Sequence, residues 1–176
     1  DAVSEHCKVR ISDNANLAVS RESEQVFSIH FVALFTARIH FTDNGMTRDS
    51  LDLGTLDGAT DSLDVAYGET ELPQKPAPGI FDVRWNIPTR QETRIDIRDT
   101  LSSVHRRNFF LAEFQPGGGG YPMTVSWNPD SLRSGLFILR DTLTHGAKYS
   151  VDMRKDSVLV VSDTTVAALE IIQCVP

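Results

Sequence analysis

Cysteine is almost absent from this chain and lysine is scarce. Two cysteines, Cys7 and Cys174, stand in 176 residues, and four lysines face thirteen arginines. The cysteines have no Cys-x-x-Cys spacing, which excludes a thioredoxin-like redox centre and a cysteine zinc knuckle. A long hydrophobic run is missing too. The longest apolar stretch, Val26 to Ile39, is interrupted by Ser28, His30, Thr36 and Arg38, short of the roughly 20 apolar residues that span a bilayer as a helix. No membrane insertion is expected. A basic stripe is lacking: the net charge is −7, which argues against nucleic acid, whose phosphates need neutralising, and against charge-driven binding to an anionic membrane.

Catalytic signatures are equally scarce, and no enzyme is expected. There is no Gly-x-Ser-x-Gly elbow. The five histidines, His6, His30, His40, His105 and His145, have no second ligand at i+2 or i+4, so none reads as half of a zinc site. Gly117 to Gly120 are followed by Tyr121-Pro122 and not by the Lys-Ser and helix start of a phosphate-binding loop. These glycines read as a hairpin tip or mobile loop. Dispersed carboxylates leave a glycosidase open only as a remote reading.

What is present is β-structure. Period-2 alternation and β-branched residues recur along the chain. Cys7–Ile11, Asn16–Val19, 25–41 (as one long strand or two joined by a bulge), Ser50–Leu53, Phe81–Trp85, Thr93–Arg98, Asn108–Phe114, Met123–Trp127, Leu136–Arg140, Lys148–Arg154, Ser157–Val161 and Val166–Cys174 all read as strands. Asn44-Gly45 marks a tight hairpin. Residues 99–107 have room for one helical turn. The pattern predicts an all-β chain: a single antiparallel β-sandwich domain over 1–176, Ig-like or jelly-roll-like, with about 10–11 strands and a long ordered loop at 54–80. Arg94, Asp96 and Arg98 read as an outward row, either a charged edge or a polar ladder for a partner.

Cys7 and Cys174 lie close to the two ends of the sequence, and terminal strands of sandwiches are often neighbours. That placement predicts a disulfide, worth about 5 kcal/mol at most by loop-closure entropy, and with it an extracellular protein; the alternative is two free thiols. The first residue is Asp1, as expected of a chain processed by signal-peptide cleavage or excised from a longer one.

The segment 54–73, GTLDGATDSLDVAYGETELP, crowds acidic residues without one lysine or arginine. Asp57, Asp61, Asp64 and Glu69 are candidate calcium ligands, since calcium takes six to eight oxygens from irregular loops. The spacing is not that of an EF-hand, and side chains capping turns are the alternative. Tyr67, Trp85 and Tyr121 are candidate platforms for a sugar face; core packing is the alternative for the tryptophan.

The same segment carries a resemblance. Gly54, Ala59-Thr60-Asp61, Asp64, Gly68-Glu69, Glu71-Leu72-Pro73, Pro76, Pro78, Phe81 to Trp85 and, later, Tyr121 to Trp127 resemble a recurrent module of large secreted proteins from Bacteroidota-like bacteria, often exported with a C-terminal sorting domain. The resemblance covers roughly residues 36–172. It implies a secreted or cell-surface β module and no activity. The functional expectation is a structural or interaction module of a bacterial cell-surface or extracellular assembly, with a protein partner or further copies of itself. The alternative is a carbohydrate-binding module stabilised by calcium, with a glycan as partner. An arginine-rich charge balance suits interface ion pairs, because the guanidinium fork bonds carboxylates bidentately; a general bias towards arginine explains it equally well.

Overall fold

The computed structural model describes residues 4–7, 10–12, 20–22, 27–29, 35–101, 107–132 and 135–174. The chain divides into two compact units, Asp1–Ala33 and Leu34–Pro176. The first holds four short strands in two antiparallel pairs: β1 (Ser4–Cys7) with β4 (Phe27–Ile29), and β2 (Arg10–Ser12) with β3 (Ser20–Glu22). The expected strand at Asn16–Val19, His30, His105 and most of the expected turn at 99–107 lie outside the described residues.

Among the described residues, the second unit is a β-sandwich of eleven strands. These are β5 (Phe35–Thr42), β6 (Arg48–Thr55), β7 (Asp82–Asn86), β8 (Glu92–Thr93), β9 (Ile95–Arg98), β10 (Arg107–Gln115), β11 (Met123–Trp127), β12 (Leu136–Asp141), β13 (Ser150–Asp152), β14 (Val158–Val161) and β15 (Ala168–Cys174). One sheet has the order β14-β11-β5-β6-β9 and the other β13-β12-β15-β10-β7-β8. All pairs are antiparallel except β6–β9. Strands β8 and β9 end the two sheets on one lateral side of the sandwich, and β13 and β14 end them on the other.

Alternation makes the core. Ala37, Ile39 and Phe41 of β5, Leu51 and Leu53 of β6, and Met123, Val125 and Trp127 of β11 face Val83 and Trp85 of β7, Phe110, Ala112 and Phe114 of β10, Phe137 and Leu139 of β12, and Leu169 and Ile171 of β15. Such inward-facing period-2 residues from two sheets form the hydrophobic interior of a sandwich. Trp85 is fully buried, and its Nε1 donates to the Asp52 carbonyl at 2.8 Å.

The expected Cys7–Cys174 bridge is not formed: Cys174 is a free, half-buried thiol. Strand β15 does not lie at an edge; it pairs with β10 on one side and β12 on the other, with Cys174 opposite both Arg107 and Leu136. Both backbone edges of the C-terminal strand are therefore occupied within its own sheet.

The four glycines are a packed joint instead of a mobile tip. Gly117 N donates to the buried Asp43 carboxylate at 3.0 Å, and Asn44 N donates to the Gly120 carbonyl at 3.1 Å. Backbone meets backbone at Gly119, where an added Cβ would stand 2.1 Å from Gly45 N. The hairpin turn at Asp43–Gly45 and the glycine segment are thus locked together.

Candidate functional site

The acidic loop is the natural place to begin. It leaves β6, covers the outer face of β9 with Leu56 and Ala59 over Ile95 and Ile97, and makes a single 3₁₀ turn at Val65–Tyr67 that ends on Gly68 in the left-handed region, φ 90°. Its carboxylates do not converge. Asp61 pairs with Arg98 at 2.7 Å. Asp64 accepts from Thr60 N and Oγ1 at 2.6 and 3.1 Å. Glu69 is buried and accepts from Asp64 N at 2.7 Å and Ile97 N at 2.5 Å. Asp57 lies apart from these and accepts from Thr100 Oγ1 at 3.4 Å. Among the described residues, no three of His, Cys, Asp and Glu are gathered so as to hold a metal ion. The four candidate calcium ligands instead serve loop turns, a strand edge and an arginine.

The row Arg94, Asp96, Arg98 also differs from expectation. Asp96 and Arg98 are buried, not displayed outward. In the parallel β6–β9 register Asp96 lies beside Leu53 and Ile97 beside Gly54. The apolar face of β9 therefore looks outward, under the loop, and the charged face looks in between the sheets. Arg98 bonds Asp96 bidentately at 2.6 and 2.8 Å, and its guanidinium lies over the Phe110 ring at 5.9 Å. Burial pushes the Asp96 carboxyl up to about 6, against the lowering pull of Arg98 and with Glu69 and Asp61 adding to the rise. Burial likewise raises Glu69, opposed by its two backbone donors. A second buried arginine, Arg84, bonds Asp82 bidentately at 2.6 and 2.9 Å, bonds Glu92, and donates to the Pro73 carbonyl at 3.2 Å. It fastens the proline-ended half of the loop to β7. The loop thus seals the lateral side formed by β8 and β9.

Of the three candidate platforms, Trp85 belongs to the core. Tyr121 packs at the core margin against Phe114, and its hydroxyl donates to the Val166 carbonyl at 2.7 Å. Neither offers a free ring face for a sugar. Tyr67 does stand at the surface, 37% exposed. It walls a shallow groove on the outer face of the five-stranded sheet, whose floor includes Arg38, His40 and Asp52 and whose far wall is Asn128 and Ser131. Arg38 and Asp52 form a bidentate pair across β5 and β6 at 2.7 and 2.8 Å, and Asp52 holds the guanidinium pKa above its ordinary value.

A further apolar surface lies on the other sheet, one that the sequence pattern alone did not single out. In register across three neighbouring strands, Ile138 of β12 stands beside Ile172 of β15, which stands beside Phe109 of β10. Leu136 and Leu111 flank this row. Phe109 is 49% and Leu136 44% exposed. The row is bounded by the Arg140–Glu170 ion pair, 2.7 Å, and by Arg107. Phe109 and Leu111 continue into a second shallow groove with Ile87 and Pro88, rimmed by Arg90 and His145. A signal was available in the sequence. Phe109-Phe110, Leu136 to Leu139 and Ile171-Ile172 each break the alternation, and consecutive apolar residues in a strand place one of them on the outer face.

No protein-family model, no curated protein and no solved structure matches the chain.

Proposed function

We propose that the sandwich is a structural or interaction module of a bacterial cell-surface or extracellular assembly, docking a protein partner through the outer face of the six-stranded sheet. The observation that carries this reading is the in-register apolar row Ile138–Ile172–Phe109 with Leu136 and Leu111, left uncovered among the described residues. Apolar patches rimmed by charge, here Arg107, Arg90 and Arg140–Glu170, are the ordinary form of a protein interface. The extracellular placement is supported by the module resemblance over residues 36–172 and not by a disulfide. The test is fractionation of producing cells. Wild type is expected in the surface fraction and Phe109→Asp in the medium, with the same melting temperature. Unchanged fractionation of the folded variant contradicts the reading.

A second reading, a carbohydrate-binding module, is favoured by one observation: the groove that combines the exposed Tyr67 ring with the Arg38–Asp52 pair, Asn128 and Ser131. Aromatic faces with planar hydrogen-bonding groups suit sugars. Glycan-array binding that Tyr67→Ala abolishes supports it, and an array without signal removes it.

A further inference from the structure

The four sheet edges of the sandwich are treated unequally. On the side of β8 and β9, the outward backbone groups are engaged. Ile97 N donates to Glu69 Oε1 at 2.5 Å, Ile95 N to Thr93 Oγ1 at 3.3 Å, and Leu72 N donates to the Glu92 carbonyl at 2.7 Å. On the other side, β13 is three residues long, and its outward Asp152 carbonyl accepts from Lys155 N and Asp156 N, both at 3.0 Å. Among the described residues, strand β14 has no such cover. It pairs with β11 only, and its sequence is Val-Leu-Val-Val with no charge, proline or glycine. Long or apolar open edges recruit further strands, which is why charge, proline or a covering loop is the usual protection.

The hydrogen-bond parity of β14 can be read directly. Trp127 N donates to the Ser157 carbonyl at 3.0 Å. Opposed residues of an antiparallel ladder alternate between bonded and non-bonded pairs, and Ser126 lies opposite Val158 and Thr124 opposite Val160. Val158 and Val160 therefore turn their N–H and C=O groups away from β11, and no hydrogen bond among the described residues reaches them. Both side chains are 47% exposed.

We propose that β14 is the docking edge for a second copy of this chain, paired antiparallel to itself about a two-fold axis at Leu159. In that register Val158 of each copy stands opposite Val160 of the other, and each such pair exchanges both N–H···O bonds. The exposed valines meet as cross-strand β-branched neighbours. Ser157 falls opposite Val161 and Asp156 opposite Ser162, so no like charges face each other over 156–162. Of the registers that obey the parity, a shift by one step in either direction sets Val160 against Asp156 or Val158 against Ser162 and keeps one valine pair, Val158 with Val158 or Val160 with Val160, in place of two. A second copy fits because one strand supplies both halves of a self-complementary contact. The two five-stranded sheets become one continuous sheet. The β9 edge at each far end is sealed by Glu69 and Thr93, so the assembly closes as a dimer and does not grow into a fibre.

Sedimentation velocity of the full chain over a concentration series tests this. The expected mass rises from the 19.5 kDa monomer to twice that value. Val160→Pro deletes an N–H that points to solvent in the monomer, a tolerated position for proline on an edge strand. Val160→Lys keeps the N–H and changes only an exposed side chain, so it reports even where the proline variant fails to fold. Both are expected to remain monomeric where wild type is dimeric, with an unchanged melting temperature for Val160→Lys. Phe109→Asp is expected to dimerise as wild type does, which separates this edge from the sheet face of the proposed function. A wild type that stays at the monomer mass throughout, or a folded Val160→Lys that dimerises like wild type, overturns the proposal.

Discussion

Gly118 and Gly119 are adjacent, exchangeable in composition, and opposite in their expected response to one added methyl group. At Gly119 a Cβ would stand 2.1 Å from Gly45 N and 2.4 Å from Gly45 Cα. Both obstacles are backbone, so the hairpin turn and the glycine segment must part. Overpacking of this kind costs about 1–3 kcal/mol. Parting also strains Asn44 N to Gly120 O and Gly117 N to the Asp43 carboxylate, each worth about 1 kcal/mol net. The sum is about 3 kcal/mol or more. For a chain of this size about 1 kcal/mol moves the melting temperature by roughly 2–4 °C, so Gly119→Ala is expected to lower it by roughly 6–12 °C. At Gly118 nothing lies within 4 Å of the added carbon, and the residue does not occupy the left-handed region. Gly118→Ala is expected to be neutral or to stabilise by about 0.4–1 kcal/mol through the unfolded chain. Differential scanning calorimetry of the two variants decides. Equal, small effects refute the packed joint and return the segment to a mobile tip.

Other outcomes follow from the sealed side of the sandwich. The folded-state pKa of Asp96, about 6, lies above its ordinary 3.8, so the folded state binds the proton more tightly. Its contribution to stability is full below about pH 4 and is lost as pH rises through about 6, a change of about 3 kcal/mol at most. Denaturant titrations at pH 4.5 and 7 should show it, and Asp96→Asn should flatten that part of the slope. Arg98→Ala leaves Asp96 buried without its bidentate partner and should cost about 3–5 kcal/mol at pH 7, read by chemical denaturation. Millimolar calcium is expected to leave the melting temperature unchanged, because Asp61, Asp64 and Glu69 are already held by Arg98, Thr60 and backbone N–H groups; a rise of several degrees would contradict that geometry.

The fold was legible in the sequence because alternation is a local signal. Met123–Trp127 and Asn108–Phe114 are strands as read, and alternate residues of each enter the core. What alternation cannot supply is which face a given strand turns inward at the margin of a sandwich. Thr93–Arg98 shows this: its isoleucines face out because residues 56–69 cover them, and its ion pair faces in. The crowd of carboxylates in the loop suggested a cation. The arginine and backbone donors that answer it come from Arg98, Ile97 and Asp64, and only folding brings the first two near. Trp85 and Tyr121 carry the composition of a binding platform but the positions of packing residues. The apolar row on β12, β15 and β10 went unread because each strand contributes one or two residues, and strand order assembles them. The open edge at β14 likewise depends on sheet order, although Val158 to Val161 already displays its lack of protecting charge.

The central claim, that this module works through the outer face of the six-stranded sheet, is tested most directly by photo-cross-linking in producing cells with the reactive side chain placed in turn at Phe109 and at Thr164, an exposed turn position away from the row. The account predicts a discrete heterologous adduct from position 109 and none from position 164. Equal background labelling at both positions would contradict it.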